Sequence, residues 1–149
     1  MPIFNKDSPL TVAQGGTSAT TAINAKYNLG IVGILSTTTN INGEVATTTN
    51  LYTVPTSRTA IITGAIFRIT TATGLTGTMT AGIGIAIGED DIFNSTEMIG
   101  FGSTDEMYVF NSLGVVNIAS ASDVIKLGID ASFGGTTVTL SIDLLGYLI

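Results

Sequence analysis

The chain has 149 residues, with 44% hydrophobic and 11% charged residues and a formal charge of −6. That length suits one domain of ordinary size, and the charged share is less than half that of a typical soluble domain. The longest apolar run, Leu29 to Leu35, falls far short of the roughly 20 residues of a membrane-spanning helix, so the apolar excess must be buried in a core or against another chain.

Histidine and cysteine are both absent. Their absence removes Ser-His-Asp and Cys-His nucleophilic catalysis, disulfides, structural zinc and histidine metal ligands together. The basic residues are Lys6, Lys26, Arg58, Arg68 and Lys126, scattered along the chain. A nucleic-acid groove needs them clustered against phosphates, so no nucleic-acid partner is expected. The start, Met1 to Asp7, lacks the basic-then-apolar build of a signal peptide and suggests a protein used without secretion.

Residues 1–30 form a leader unlike the rest. An extended piece around Pro9–Gln14 is broken by Gly15-Gly16. Thr17 or Ser18 can cap a helix, and Gly30 suits the left-handed position after its end. Ala19, Ala22, Ile23 and Lys26 give this helix of about three turns only a thin apolar stripe, so it needs a packing partner.

Residues 31–55 are threonine-rich. Asn42-Gly43 is a strong hairpin signal between β-branched flanks, and predicts an exposed hairpin or loop.

Strand patterns fill residues 56–149. Arg58 to Thr71 is a long candidate, apolar on both faces at Ile61-Ile62. Met79, Ala81, Ile83, Ile85 and Ile87 alternate with Thr80, Gly82, Gly84, Ala86 and Gly88. Ile125, Leu127 and Ile129 alternate with Lys126, Gly128 and Asp130, and Val138, Leu140, Ile142 and Leu144 with Thr139, Ser141 and Asp143. Turn signals separate these pieces and no helices intervene, beyond a possible helical turn at Asp90–Phe93. The expected architecture is all-β: an antiparallel β-sandwich of jelly-roll type at residues 31–149, with an N-terminal extended arm and one short helix. Phe67, Tyr108 and Phe110 are expected in its core.

The chemical signals are weak. Gly82-x-Gly84-x-x-x-Gly88 sits inside a strand pattern and misses the dinucleotide spacing. It reads better as a bare strand face that admits a close neighbour. Glu89-Asp90-Asp91 matches no EF-hand spacing and reads as a polar turn. A glycosidase needs two carboxylates about 5–10 Å apart on one cleft, and sugar sites favour aromatic platforms, whereas this chain has no tryptophan. No catalytic residue, metal ligand or cofactor is expected.

The leader is similar to a segment that recurs in tailed-bacteriophage virion proteins, especially tail fibres and related appendages. Its usual form is approximately Pro-Leu-Thr-Val-Ala-Gln-Gly-Gly-Thr-Gly-Ala-Thr-Thr-Ala, then an alanine-rich stretch and Asn-Leu-Gly. Here it runs from Pro9 to Thr21 and returns at Asn28-Leu29-Gly30. Ser18 replaces a glycine, and Ile23-Asn24 and Lys26-Tyr27 depart from the small-residue pattern. Tyr52–Ile62, Leu127–Asp130 and Asp143–Ile149 more weakly resemble phage exterior modules.

The resemblance implies a virion component, commonly a homotrimer, with a β-sandwich displayed outward and its arm on the particle. Leu10, Val12, Gln14, Gly15, Gly16, Thr17 and Leu29 are then the attachment residues, and other phage structural proteins of capsid or tail the partners. Small size favours a capsid decoration protein or head fibre over a long tail fibre, and a short tail-fibre subunit also fits. A chain this poor in charge gains from burying its faces in a cyclic assembly. Gly82, Gly84, Leu144, Leu145 and Tyr147 are the expected oligomer contacts, with the tail Leu144–Ile149 buried as a central strand or between subunits. The alternative is a receptor-binding module whose loops 73–78, 100–105 and 132–135 meet a host glycan or surface protein. Deleting residues 1–30 should leave a folded oligomer that no longer joins particles; loss of folding on deletion, read by circular dichroism, would put the leader in the core.

Overall fold

The computed structural model describes residues 33–85, 91–98, 103–111, 117–135 and 137–149. The leader, the helix expected in it and the attachment residues expected there lie outside them. Among the described residues nine strands run in chain order: β1 (Gly33–Asn42), β2 (Thr47–Thr53), β3 (Ala60–Thr73), β4 (Thr80–Gly84), β5 (Phe93–Glu97), β6 (Met107–Asn111), β7 (Asn117–Ala119), β8 (Val124–Ala131) and β9 (Thr137–Leu148). All pairings are antiparallel. The all-β, antiparallel expectation therefore holds, and no helix occurs among the described residues.

The strands form two sheets. Sheet A is five-stranded, in the order β1-β9-β3-β6, with β7 also on β3; sheet B is four-stranded, in the order β2-β8-β4-β5. β6 covers Gly64–Arg68 of β3 and β7 covers Ala60–Ile62, on the same side and in the same direction.

Alternation explains most of the core, and β3 changes step across its register shift between Ile62 and Gly64. Val138, Leu140, Ile142 and Leu144 of β9 are buried, as are Ile62, Ala65, Phe67 and Ile69 of β3, Ala81 and Ile83 of β4, and Ile125, Leu127 and Ile129 of β8. Side chains of both sheets belong to one hydrophobic cluster. Rings link the sheets: Phe110 of β6 lies 5.2 Å from Phe67 of β3 and 5.7 Å from Phe93 of β5, at angles suited to aromatic packing. Tyr108, half-buried, packs against this cluster.

Three local expectations differ from the structure in whole or in part. Of the hairpin or loop expected at Asn42-Gly43, the structure forms the loop and not the hairpin, because β1 pairs with β9 and β2 with β8. Asn42 Oδ1 does accept the Glu44 N–H at 2.7 Å, as turn chemistry dictates. But the buried Gly43 donates its N–H to the carbonyl of Val138 at 2.9 Å, so the turn carries the chain from one sheet to the other. The long apolar partners β9 and β8 outcompete the short threonine-rich flank. The helical turn predicted at Asp90–Phe93 is not formed in its described part: Asp91 and Ile92 are bends, and Phe93 opens β5. Ile92 and Phe93 are drawn into the core instead. Of the strand expected through Gly88, the described part begins at Thr80 and gives way to a bend at Ile85, and residues 86–88 lie outside the described residues.

β9 is a central strand between β1 and β3. Its pairing with β3 is interrupted by a register shift between Ile62 and Gly64. Beside that shift Gly146 is required by close approach: a Cβ there would lie 2.2 Å from the Ile61 carbonyl oxygen and 2.9 Å from Leu35 Cδ1. Gly146→Ala should cost roughly 1–3 kcal/mol in urea unfolding, as overpacking does. Gly33→Ala, where a Cβ meets nothing within 4 Å, should be near neutral.

Candidate functional site

Three regions of the body offer themselves as a site: the two ends of the sheets and the outer face of sheet A. At one end four loops gather. Phe133 donates to the Gly43 carbonyl at 2.9 Å, and Thr76 and Gly134 exchange backbone bonds at 2.6 and 2.9 Å. Asp105 donates to the Ile69 carbonyl at 2.9 Å, and Ala72 to Thr104 Oγ1 at 3.2 Å. The described parts of the expected loops 73–78, 100–105 and 132–135 are thus brought together, joined by residues 43–46.

The other end holds the entry to β1 and the end of the described chain. Gly33 lies opposite Gly146, and Thr59 and Ile149 exchange backbone bonds at 3.0 and 2.9 Å. The 12 residues of β9 separate these ends by about 40 Å at the usual rise per strand residue.

Carboxylates serve mainly as loop ties. Glu44 accepts the Val138 N–H at 2.6 Å, Asp91 the Ile85 N–H at 2.6 Å, Glu106 the Ser103 N–H at 2.9 Å and Asp123 the Ser120 N–H at 2.7 Å. Glu97 accepts from the Thr78 hydroxyl, and Asp130 from that of Ser95. Among the described residues no three His, Cys, Asp or Glu side chains gather as a metal set. Of Glu89-Asp90-Asp91 only Asp91 is described.

The outer face of sheet A follows from register, since directly paired residues project to the same side. One row reads Thr37, Asp143, Ile66, Val109. The rows beside it hold Ser141, Arg68 and Met107, and Ile34, Leu145, Gly64 and Asn111; beyond lie Tyr147, Ile61 and Ile118. Met107, Val109, Ile34 and Ile118 are 61, 48, 58 and 55% exposed. In their midst Asp143 is buried, held by Arg68 Nη1 at 2.6 Å and by a hydrogen bond of 2.6 Å from Thr37 Oγ1.

The predicted oligomer contacts fall in different places. Gly82 and Gly84 are buried on β4, between β8 and β5 in sheet B. Leu144 is fully buried in the core of its own chain. Leu145 and Tyr147 are half-buried on the outer face of sheet A. The sequence reading missed Met107, Val109 and Ile118 as surface residues. A signal existed: Met107-Tyr108-Val109-Phe110 is apolar at every position, so one of its faces had to be exposed or covered by a partner.

No family model and no curated protein sequence matches the chain. Among solved structures, it is similar in fold to a chain described as "Cyanophage Pam1 capsid asymmetric unit", with 13% identity and a TM-score of 0.52, covering 80% of this chain and 86% of that one.

The buried carboxylate makes a stability prediction. Removing its cation leaves a desolvated charge, although Arg68 is itself partly exposed, which moderates the cost. Arg68→Ala should cost about 1–3 kcal/mol in urea unfolding. Arg68→Met with Asp143→Leu should recover most of that loss, since an apolar pair of similar volume needs no counter-charge.

Proposed function

We propose that this is an exterior structural protein of a tailed-bacteriophage virion, a capsid decoration protein or head fibre or a short tail-fibre subunit, acting by docking and homotrimer assembly rather than by catalysis. The observation that carries the reading is the likeness in fold, over most of both chains, to a chain of a cyanophage capsid. It joins the independent resemblance of the leader to phage virion segments.

The fold reading that goes with it is an eight-stranded jelly roll. Counting β6 and β7 as one interrupted strand, four strands stand in each sheet and the chain crosses between sheets in two Greek keys. The polarity of the body supports the division of labour. The described chain enters β1 at the end opposite the gathered loops, so docking through that end would leave the loops pointing outward. The carboxylates' use as loop ties favours a scaffold over an acid-base site.

A receptor-binding reading draws on the gathering of the four loops, whose exposed Val45 and Thr76 could meet a host glycan or surface protein.

One experiment separates these. Purified particles from lysates of the host should contain the chain by mass spectrometry, and its absence would overturn the virion reading. Gly15→Val with Gly16→Val in the leader should abolish incorporation, while Val45→Arg with Thr76→Arg should keep it. A fall in host adsorption with the loop variant, at unchanged incorporation, would favour receptor binding.

A further inference from the structure

The geometry points to the outer face of sheet A as the surface on which a second copy of this chain sits. We infer this from the face itself; it builds on the homotrimer reading above by naming the contact.

Two observations carry it. First, the exposed apolar side chains converge there: Ile34, Met107, Val109 and Ile118 share the face with the half-buried Ile66, Leu145 and Tyr147. Of the other exposed large hydrophobics among the described residues, Val45 sits apart in the loop end, and Ile149 follows two positions after Tyr147. Contiguous patches of this kind mark contact surfaces. Second, the face is electrically neutral. The five strands of sheet A carry only Arg68 and Asp143 as charged residues, and these neutralise each other at 2.6 Å.

The chain as a whole carries −6. Copies therefore repel one another over most of their surface, and a neutral apolar face is where they can meet without that cost. A basic partner would find no unpaired anion on this face, and an acidic one no free cation. The Arg68–Asp143 pair, set among apolar neighbours, also lets the sheet be covered without stranding a charge.

The test uses the full chain. Light scattering should give a multiple of the 15.3 kDa chain mass. Peroxide footprinting should find Met107 protected along with the core residues Met79 and Met98, although Met107 is 61% exposed in one chain. Val109→Glu and Ile118→Glu should reduce the mass to one chain and raise Met107 oxidation at least about tenfold, since sulfur access sets that rate. Val109→Lys should do the same, which excludes added negative charge as the cause. Val45→Glu, off the face, should leave the oligomer intact. Far-UV circular dichroism checks that each variant is folded, and Ile34→Glu stands in for any that is not.

A wild-type monomer with reactive Met107 overturns the inference. So does a monomer with protected Met107, which would show that the chain's own residues 1–32 cover the face. An oligomer that survives all the face substitutions also overturns it, while leaving the trimer reading standing on some other contact.

Discussion

The structure depends on β9 lying between β1 and β3. One face of that strand supplies Val138, Leu140, Ile142 and Leu144 to the core, and the other buries Ser141 and Asp143. A strand buried on both faces must satisfy whatever polar groups it carries. Asp143 meets that demand through Arg68 of β3 on one side and Thr37 of β1 on the other. The three strands of sheet A are thereby joined by side chains as well as by backbone bonds. β1 and β9 lie far apart in the chain, with Thr37 and Asp143 separated by 106 positions, so sheet A forms only by long-range pairing. Such non-local pairing is slow to form and cooperative once formed.

The same economy shows in the loops. An acidic chain without histidine can still use its carboxylates, and four of the described ones accept from backbone N–H groups. Glu44, Asp91, Glu106 and Asp123 each accept from a main-chain donor outside the strand ladders' reach. The strands themselves are left nearly uncharged. Apart from the Arg68–Asp143 pair, the charge of the described residues lies in the loops and on sheet B, where Glu97, Lys126 and Asp130 lie. The outer face of sheet A is left apolar and neutral, a poor surface for water and a good one for another protein.

Much of the fold was legible in the residues, because alternation with period two needs no knowledge of partners. The inner faces of β8 and β9 and the core places of Phe67 and Phe110 follow from it directly. Where reasoning from the sequence failed, the deciding contacts were distant. Asn42-Gly43 has the chemistry of a hairpin turn, yet nothing local reveals that β9 and β8 offer β1 and β2 larger apolar partners than they offer each other. Asp91 is a good helix cap, but Ile92 and Phe93 gain more from the core than from a helical turn. The candidate surface was half visible: Leu145 and Tyr147 stood out as apolar residues near the end, while Met107, Val109 and Ile118 belong to strands whose place in the sheet no periodicity discloses.

By itself, then, the sequence determined composition-level facts and local ones: the chemistries that lack their residues, the all-β class, and which side of each regular strand is oily. These rest on residue identity and on the geometry of an extended backbone, which are the same in any fold. The tertiary structure alone decided strand order, the pairing of Asp143 with Arg68, the gathering of the loops at one end and the apolar side chains brought together on the outer face of sheet A. Each of those depends on which distant segments lie side by side, and that is settled by the competition of the whole chain for its core.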